Sequence, residues 1–275
     1  MSVNTIIFSK DRACQLDLLL RSIKDNFIEL NPSEIKVYIK ASNNDYLKAY
    51  QILTQENPTF NYIFQKNFHD DVKQHVNEIT DPFCLFLVDD SVILNDFPVF
   101  ESLQYLDDDK IHSISLRLHK NISYCHPADR WCQTDNLDSV DGNILKFDWT
   151  RNDELADWGY AAAIDSHLYR TSFMKNIINR ISFNNPNDIE GQMNLLSKQF
   201  PPKMICFDLP KMATICNNVT QSGFNRHNPN PTYTIENLNQ LYLMSKRIST
   251  SNIYGILNNA CTFELDYEFP TWEKE

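Results

Sequence analysis

Along the first third of the chain, dense apolar runs alternate with amphipathic stretches, and a polar turn closes each run. Residues 3–8 read as a short buried strand, followed by the turn Ser9-Lys10-Asp11-Arg12 and then by Leu16, Leu18, Leu19, Leu20 and Ile23 at helical spacing. Residues 35–39 predict a second strand, ended by Ala41-Ser42-Asn43-Asn44-Asp45, with a helix over 46–53. A third short strand falls at 61–64, a helix at 70–79, and Phe83-Cys84-Leu85-Phe86-Leu87-Val88 is a wholly apolar strand. Strands alternating with helices predict a largely parallel sheet of the α/β class.

Beyond this the pattern changes. Residues 111–119 alternate, Ile114, Leu116 and Leu118 against Ser113, Ser115, Arg117 and His119, as expected of a half-exposed strand. Residues 121–157 read as a long loop-rich stretch, which in a compact domain is usually functional. Residues 160–164 are expected to return to the sheet. Asn185-Pro186-Asn187-Asp188 signals a helix start, leading into Ile189, Met193, Leu195 and Leu196, and a last helix is expected over 235–248.

Ligands of parallel sheets gather at the carboxyl ends of the strands, so three polar strand ends are expected to converge: 9–12, 42–45, and Asp89-Asp90-Ser91. Asp89 and Asp90 directly follow the most apolar strand. Two adjacent carboxylates repel unless a cation or water neutralises them, and Mg²⁺ or Mn²⁺ with oxygen ligands is the economical cation. A solvated turn is the plain alternative, and it is the better reading of Asp107-Asp108-Asp109, which lacks that placement. If the two side chains turned away from the cleft, or an internal Arg or Lys sequestered them, the functional reading built on the pair would collapse.

Composition narrows the partners. A chain of 275 residues with 42% hydrophobic content can bury a core as one large domain or two packed lobes. The net charge of -11 and the lack of basic clusters argue against nucleic acid or anionic lipid. The seven scattered cysteines form no C-x-x-C pair, which suits a reducing cytosol. Cys125, His126 and Cys132, with His119 nearby, fit no standard zinc spacing. An apolar run beginning at Thr5 leaves no room for a signal peptide, and no segment approaches the roughly 20 apolar residues of a membrane span, so a cytoplasmic protein without an integral membrane segment is expected.

The run 5–23, Ala41-Ser42-Asn43 and Phe86-Leu87-Val88-Asp89-Asp90 resemble the donor half of GT-A glycosyltransferases, the acidic pair standing at that family's D-x-D position. Ser115-Leu116-Arg117-Leu118, Asp157-Trp158, Asp165-Ser166-His167 and Asn185-Pro186-Asn187 with Glu190 resemble a bacterial and viral group of these enzymes. The resemblance covers residues 5–227 and is carried by the order of the motifs. It implies a Rossmann-like, mostly parallel central sheet flanked by helices, in a single domain with an acceptor-side lobe. The halves would be 1–120 for the nucleotide-sugar donor and 121–230 for acceptor and catalysis, with 231–275 a C-terminal helix and tail.

The resemblance further implies an enzyme moving a sugar from a nucleotide-diphosphate donor to a glycan or lipid-linked hydroxyl acceptor, metal-dependent and inverting. Ser9, Asp11, Arg12, Lys66, Asp89 and Arg117 would lie along the donor, with Ser42, Asn43 or Asp45 at the base. Asp89, Asp90 and a late His227 would hold Mn²⁺ or Mg²⁺. Glu190 and Asp188 are the candidate catalytic bases, Glu190 preferred because it precedes the apolar Met193 as the family's base precedes its anchor. Both also suit a helix start through its dipole. Trp158, Asp165 and His167 would face the acceptor, although a Trp beside an apolar strand more often packs in the core. The sequence departs from the family in placing Ser91 at the third D-x-D position and Ser42-Asn43-Asn44-Asp45 where an Asp-Asp is common. Two other readings remain: a nucleotidyltransferase, disfavoured by only five glycines with none after the first strand, and a non-catalytic nucleotide- or carbohydrate-binding module.

Overall fold

The computed structural model describes all residues except 1, 28, 97, 99, 221–225 and 271–275. Its first half is β1 Val3–Lys10, α1 Ala13–Asn26, β2 Lys36–Lys40, α2 Asn44–Glu56, β3 Asn61–Phe64, α3 Phe68–Glu78, β4 Phe83–Val88, β5 Ser91–Ile93 and the single turn α4 Phe100–Leu103. The second half is β6 Ile111–His119, β7 Tyr124–Cys125, β8 Arg130–Trp131, β9 Asp138–Asp141, β10 Ile144–Asp148, β11 His167–Arg170, α5 Thr171–Ile178, α6 Pro186–Leu196, β12 Lys203–Phe207, β13 Met212–Ile215, α7 Ile235–Leu243 and β14 Thr262–Phe263.

Nine strands form one sheet in the order β3-β2-β1-β4-β11-β6-β12-β10-β9. The pairs from β3 to β4 are parallel, as is β6 with β12, whereas β11 runs antiparallel to both β4 and β6. The result is a mixed α/β sheet that continues from the first half of the chain into the second.

Strands buried on both faces explain the continuous apolar runs. Ile7, Leu85 and Leu87 pack with Leu16 and Leu20 of α1 on one face. Ile6, Phe8 and Phe86 pack with Val72 and Val76 of α3 and Ile177 and Ile178 of α5 on the other. Burying a Leu or Phe of this kind contributes roughly 1.5–3 kcal/mol.

The structure departs from the sequence reading in the second half. The alternating strand β6 is central, and Ser113, Ser115 and His119 are buried with the apolar set. The stretch 121–157 is loop-rich as expected, interrupted by two small antiparallel pairs, β7 with β8 and β9 with β10. Residues 160–164 do not join the sheet; β11 does. The 157–159 turn is possible only with glycine, because a Cβ on Gly159 would sit 2.1 Å from the Asp153 carbonyl oxygen. That close approach sets the course of the chain into Tyr160.

Candidate active site

A cavity of about 840 Å³ opens at the carboxyl ends of β1, β2 and β4, within the size range of small-molecule sites. Its floor is an interlocked set of charges. Asp89 and Asp90 form the turn from β4 into β5. Ser9 Oγ donates to Asp89 Oδ2 at 2.9 Å and the Lys10 backbone N–H donates to the same oxygen at 3.1 Å. Arg12 Nη1 donates to Asp89 Oδ1 at 3.0 Å and to Asp90 Oδ2 at 2.7 Å, while Nη2 donates to the Asn218 carbonyl at 2.5 Å. The Tyr50 hydroxyl, 2.6 Å from Ser9 Oγ, accepts the Arg12 backbone N–H at 3.1 Å.

Both aspartates keep pKa values above the ordinary carboxylate range, because burial outweighs the pull of Arg12. The expected positive charge between the carboxylates is therefore present, but its source is the chain's own guanidinium. Both Asp89 oxygens are occupied, Asp90 gives one to Arg12, and among the described residues no three His, Cys, Asp or Glu side chains gather as metal ligands. A divalent ion does not fit this arrangement unless Arg12 moves. His227 does not line the cavity and Ser91 is no ligand, since its Oγ donates to Asp165 Oδ1 at 2.6 Å.

A second locked pair lies beside the first. Arg117 Nη1 sits 2.9 Å from Asp165 Oδ2, and the Thr214 and Ser166 hydroxyls also donate to that carboxylate. Burial alone would raise the Asp165 pKa, but Arg117 and these hydroxyls hold it below the usual value.

Glu190 stands apart. Asn187, Glu190 and Asn194 line the cavity from one face of α6, as spacings of three and four require. The Ile164 N–H donates to Glu190 Oε1 at 2.7 Å, and Tyr160 lies against the carboxyl. Burial pushes Glu190 up to about 7, against the opposing pull of the Ile164 N–H and Arg117. A carboxyl near neutrality on a cavity wall can take a proton from a ligand hydroxyl.

Several other candidates have structural positions. Asp11, at a left-handed φ of 60, accepts from the Ser42 N–H and Oγ at 2.7 and 2.6 Å, and its own N–H donates to the Lys40 carbonyl at 3.0 Å. Asn43 caps α2 through the Asp45 and Tyr46 N–H groups, and Asp45 pairs with Lys48. Asp188 accepts the Asn184 N–H at 2.8 Å while its own N–H donates to the Oδ1 of the N-cap Asn185, both at the start of α6. None of Asp11, Ser42, Asn43, Asp45 or Asp188 lines the cavity. Trp158 is a core residue, its ring edge-on to Phe147 at 5.0 Å and its Nε1 donating to the Ile122 carbonyl. His167 is buried in β11 with Nδ1 2.8 Å from the Asp165 carbonyl.

The cavity does bring together Ser9, Arg12, Lys66, Asp89, Asp90, Arg117, Asp165 and Glu190. The sequence reading missed Lys10, Lys40, Tyr160, Thr214 and Asn218, which also line it, and Tyr50 beneath. A Lys ending each of the first two strands was the available signal.

Among known proteins, the chain is similar to the bifunctional glycosyltransferase pgtA of Dictyostelium discoideum, 26% identical over 278 residues. That alignment takes in 90% of this chain and 36% of the relative, so the chain spans little more than a third of the relative's length. The glycosyltransferase resemblance carried by the ordered motifs is thus met by a sequence relative of that class. No family model matches the chain. Solved structures overlap it loosely. S. aureus TarS 1-349 in complex with UDP-GlcNAc has a TM-score of 0.44 at 13% identity, over 76% of this chain and 56% of that one. The mannosyltransferase PcManGT from Pyrobaculum calidifontis, in complex with GDP-Man and Mn²⁺, has 0.40 at 9%, over 76% and 57%. A cytidylyltransferase from Leptospira borgpetersenii has 0.45 at 9%, over 77% of each chain.

Proposed function

We propose that the chain is a glycosyltransferase that takes a sugar from a nucleotide-diphosphate donor and passes it, with inversion, to a hydroxyl of a glycan or lipid-linked acceptor. The observation that carries this reading is Glu190, a carboxyl poised near pH 7 on the cavity wall, with the Arg12–Asp89–Asp90 floor in the same cavity. In the transfer, the acceptor hydroxyl gives its proton to Glu190 as its oxygen bonds to the anomeric carbon. The bond from that carbon to the diphosphate oxygen breaks, and the nucleoside diphosphate leaves with the electron pair. The Ile164 N–H, bonded to Oε1, keeps the Glu190 carboxyl oriented for that proton transfer.

The expected Mn²⁺ or Mg²⁺ has no place in the floor while Arg12 bridges the carboxylates, and no step here depends on it. The role of Asp89 is instead to hold Arg12, Ser9 and the Lys10 backbone in one geometry.

Incubation with a panel of nucleotide sugars, with and without Mn²⁺, should show slow donor hydrolysis and release of nucleoside diphosphate. Consumption of none of the panel would count against the reading. It would favour instead a nucleotide- or carbohydrate-binding module without turnover, which the closure of both aspartates by Arg12 also supports.

A further inference from the structure

The cavity has a second charged region, to which the proton transfer and the floor assign no role. Register pairs Lys10 of β1 directly with Lys40 of β2, so both side chains leave the same face of the sheet at its carboxyl edge. On the next strand the Gln65 N–H donates to the Ile39 carbonyl, which brings Lys66 alongside. All three lysines are exposed and all three line the cavity.

Like charges directly opposite one another across strands are destabilising. The nearby acids do not relieve them. Asp11 is committed to Ser42, Asp71 accepts the Lys66 and Asn67 backbone N–H groups, and Asp89 meets Lys10 only through its backbone. Among the described residues none of the three ammonium groups has an ion pair or hydrogen bond. What sets these three apart is that they meet on one cavity wall in a chain with 36 acidic and 25 basic residues. Beneath them Phe8 and Phe68, ring centroids 5.2 Å apart, give an apolar base on the same cavity wall.

We infer that Lys10, Lys40 and Lys66 form a phosphate-binding site within the cavity, separate from the Arg12–Asp89–Asp90 floor, which takes a phosphate carried by one of the substrates. The floor offers such a group no free cation, because its one guanidinium is shared between two carboxylates. The inference rests on the transferase reading only for the carrier of the phosphate, which is either the donor diphosphate or a phosphorylated acceptor.

Inorganic pyrophosphate, titrated calorimetrically into the full chain at low salt, tests the site without any turnover. The expected result is binding that weakens as salt rises and that falls by about tenfold or more in the triple variant Lys10→Gln, Lys40→Gln, Lys66→Gln. Lys48→Gln, which lies outside the cavity, should bind as the unmodified chain does, and equal melting temperatures would show that the triple variant is folded. Unchanged pyrophosphate affinity in the triple variant, or no binding by the unmodified chain, overturns the site.

Two further arms identify the carrier. If it is the donor, the triple variant loses affinity for a nucleoside diphosphate but not for the nucleoside. If it is the acceptor, nucleoside diphosphate affinity holds, and KM rises for a phosphorylated acceptor alone. Absence of glycosyl transfer would remove the proposed reaction and leave the pyrophosphate result standing.

Discussion

The floor and the rim of the cavity handle charge in opposite ways. On the floor, Arg12, Asp89, Asp90, Arg117 and Asp165 are interlocked through hydrogen bonds and ion pairs. On the rim, Lys10, Lys40 and Lys66 are open, and Glu190 is held by the Ile164 N–H and Tyr160 with no ion pair among the described residues. A buried ion that satisfies its neighbours holds a shape, while an unsatisfied group beside a cavity is available to a ligand. The acidic pair that looked most chemical in the sequence is thus locked by the chain's own Arg12, whereas Lys10 and Lys40, which the sequence reading passed over, stand open on the cavity.

The largest effect should come from the rim. Glu190→Gln keeps an oxygen for the Ile164 N–H, so the fold and donor binding should survive while single-turnover transfer drops by about 10²–10⁴-fold. Undiminished transfer would move the base elsewhere and dissolve the contrast. The floor should respond in stability instead. Arg12→Met leaves Asp89 buried without its cation, at a cost of roughly 3–5 kcal/mol in denaturant unfolding. Mn²⁺ should then restore part of the melting temperature by entering the vacated position, and a variant that neither loses stability nor responds to Mn²⁺ would show that the floor is not a scaffold. The smallest effect is in pH. With Glu190 titrating at about 7 and active when deprotonated, transfer should rise about tenfold between pH 6 and 8 and level off above. A rate flat across that window would separate Glu190 from the proton transfer.

The strands of the first half were legible because burial on both faces leaves wholly apolar runs, as in β1 and β4. Glu190 and the Asp89-Asp90 pair could be placed on the cavity from their positions at a helix start and a strand end. The closure by Arg12 could not, because it joins residues 77 and 78 positions apart and depends on the packed geometry of two strand ends. Asn43 and Asp188 show the reverse problem. A polar residue at the start of an apolar helix reads equally as cap or ligand, and the structure has Asn43 capping α2 and Asp188 in the first turn of α6 with its N–H on the Asn185 cap. In β6 the alternation was real, but a central position with neighbours on both edges buried its polar face, which periodicity alone does not reveal.

The Asp11 clamp on Ser42 bears on how the protein lets go of what it binds. By joining the ends of β1 and β2, it sets the separation of the Lys10 and Lys40 backbones before any ligand arrives. Only the flexible stems remain to be frozen, and immobilising each costs roughly 1.5–2 kcal/mol of rotamer entropy. For the phosphate inferred above, a rigid base with loose arms would allow capture without backbone rearrangement and would oppose long residence.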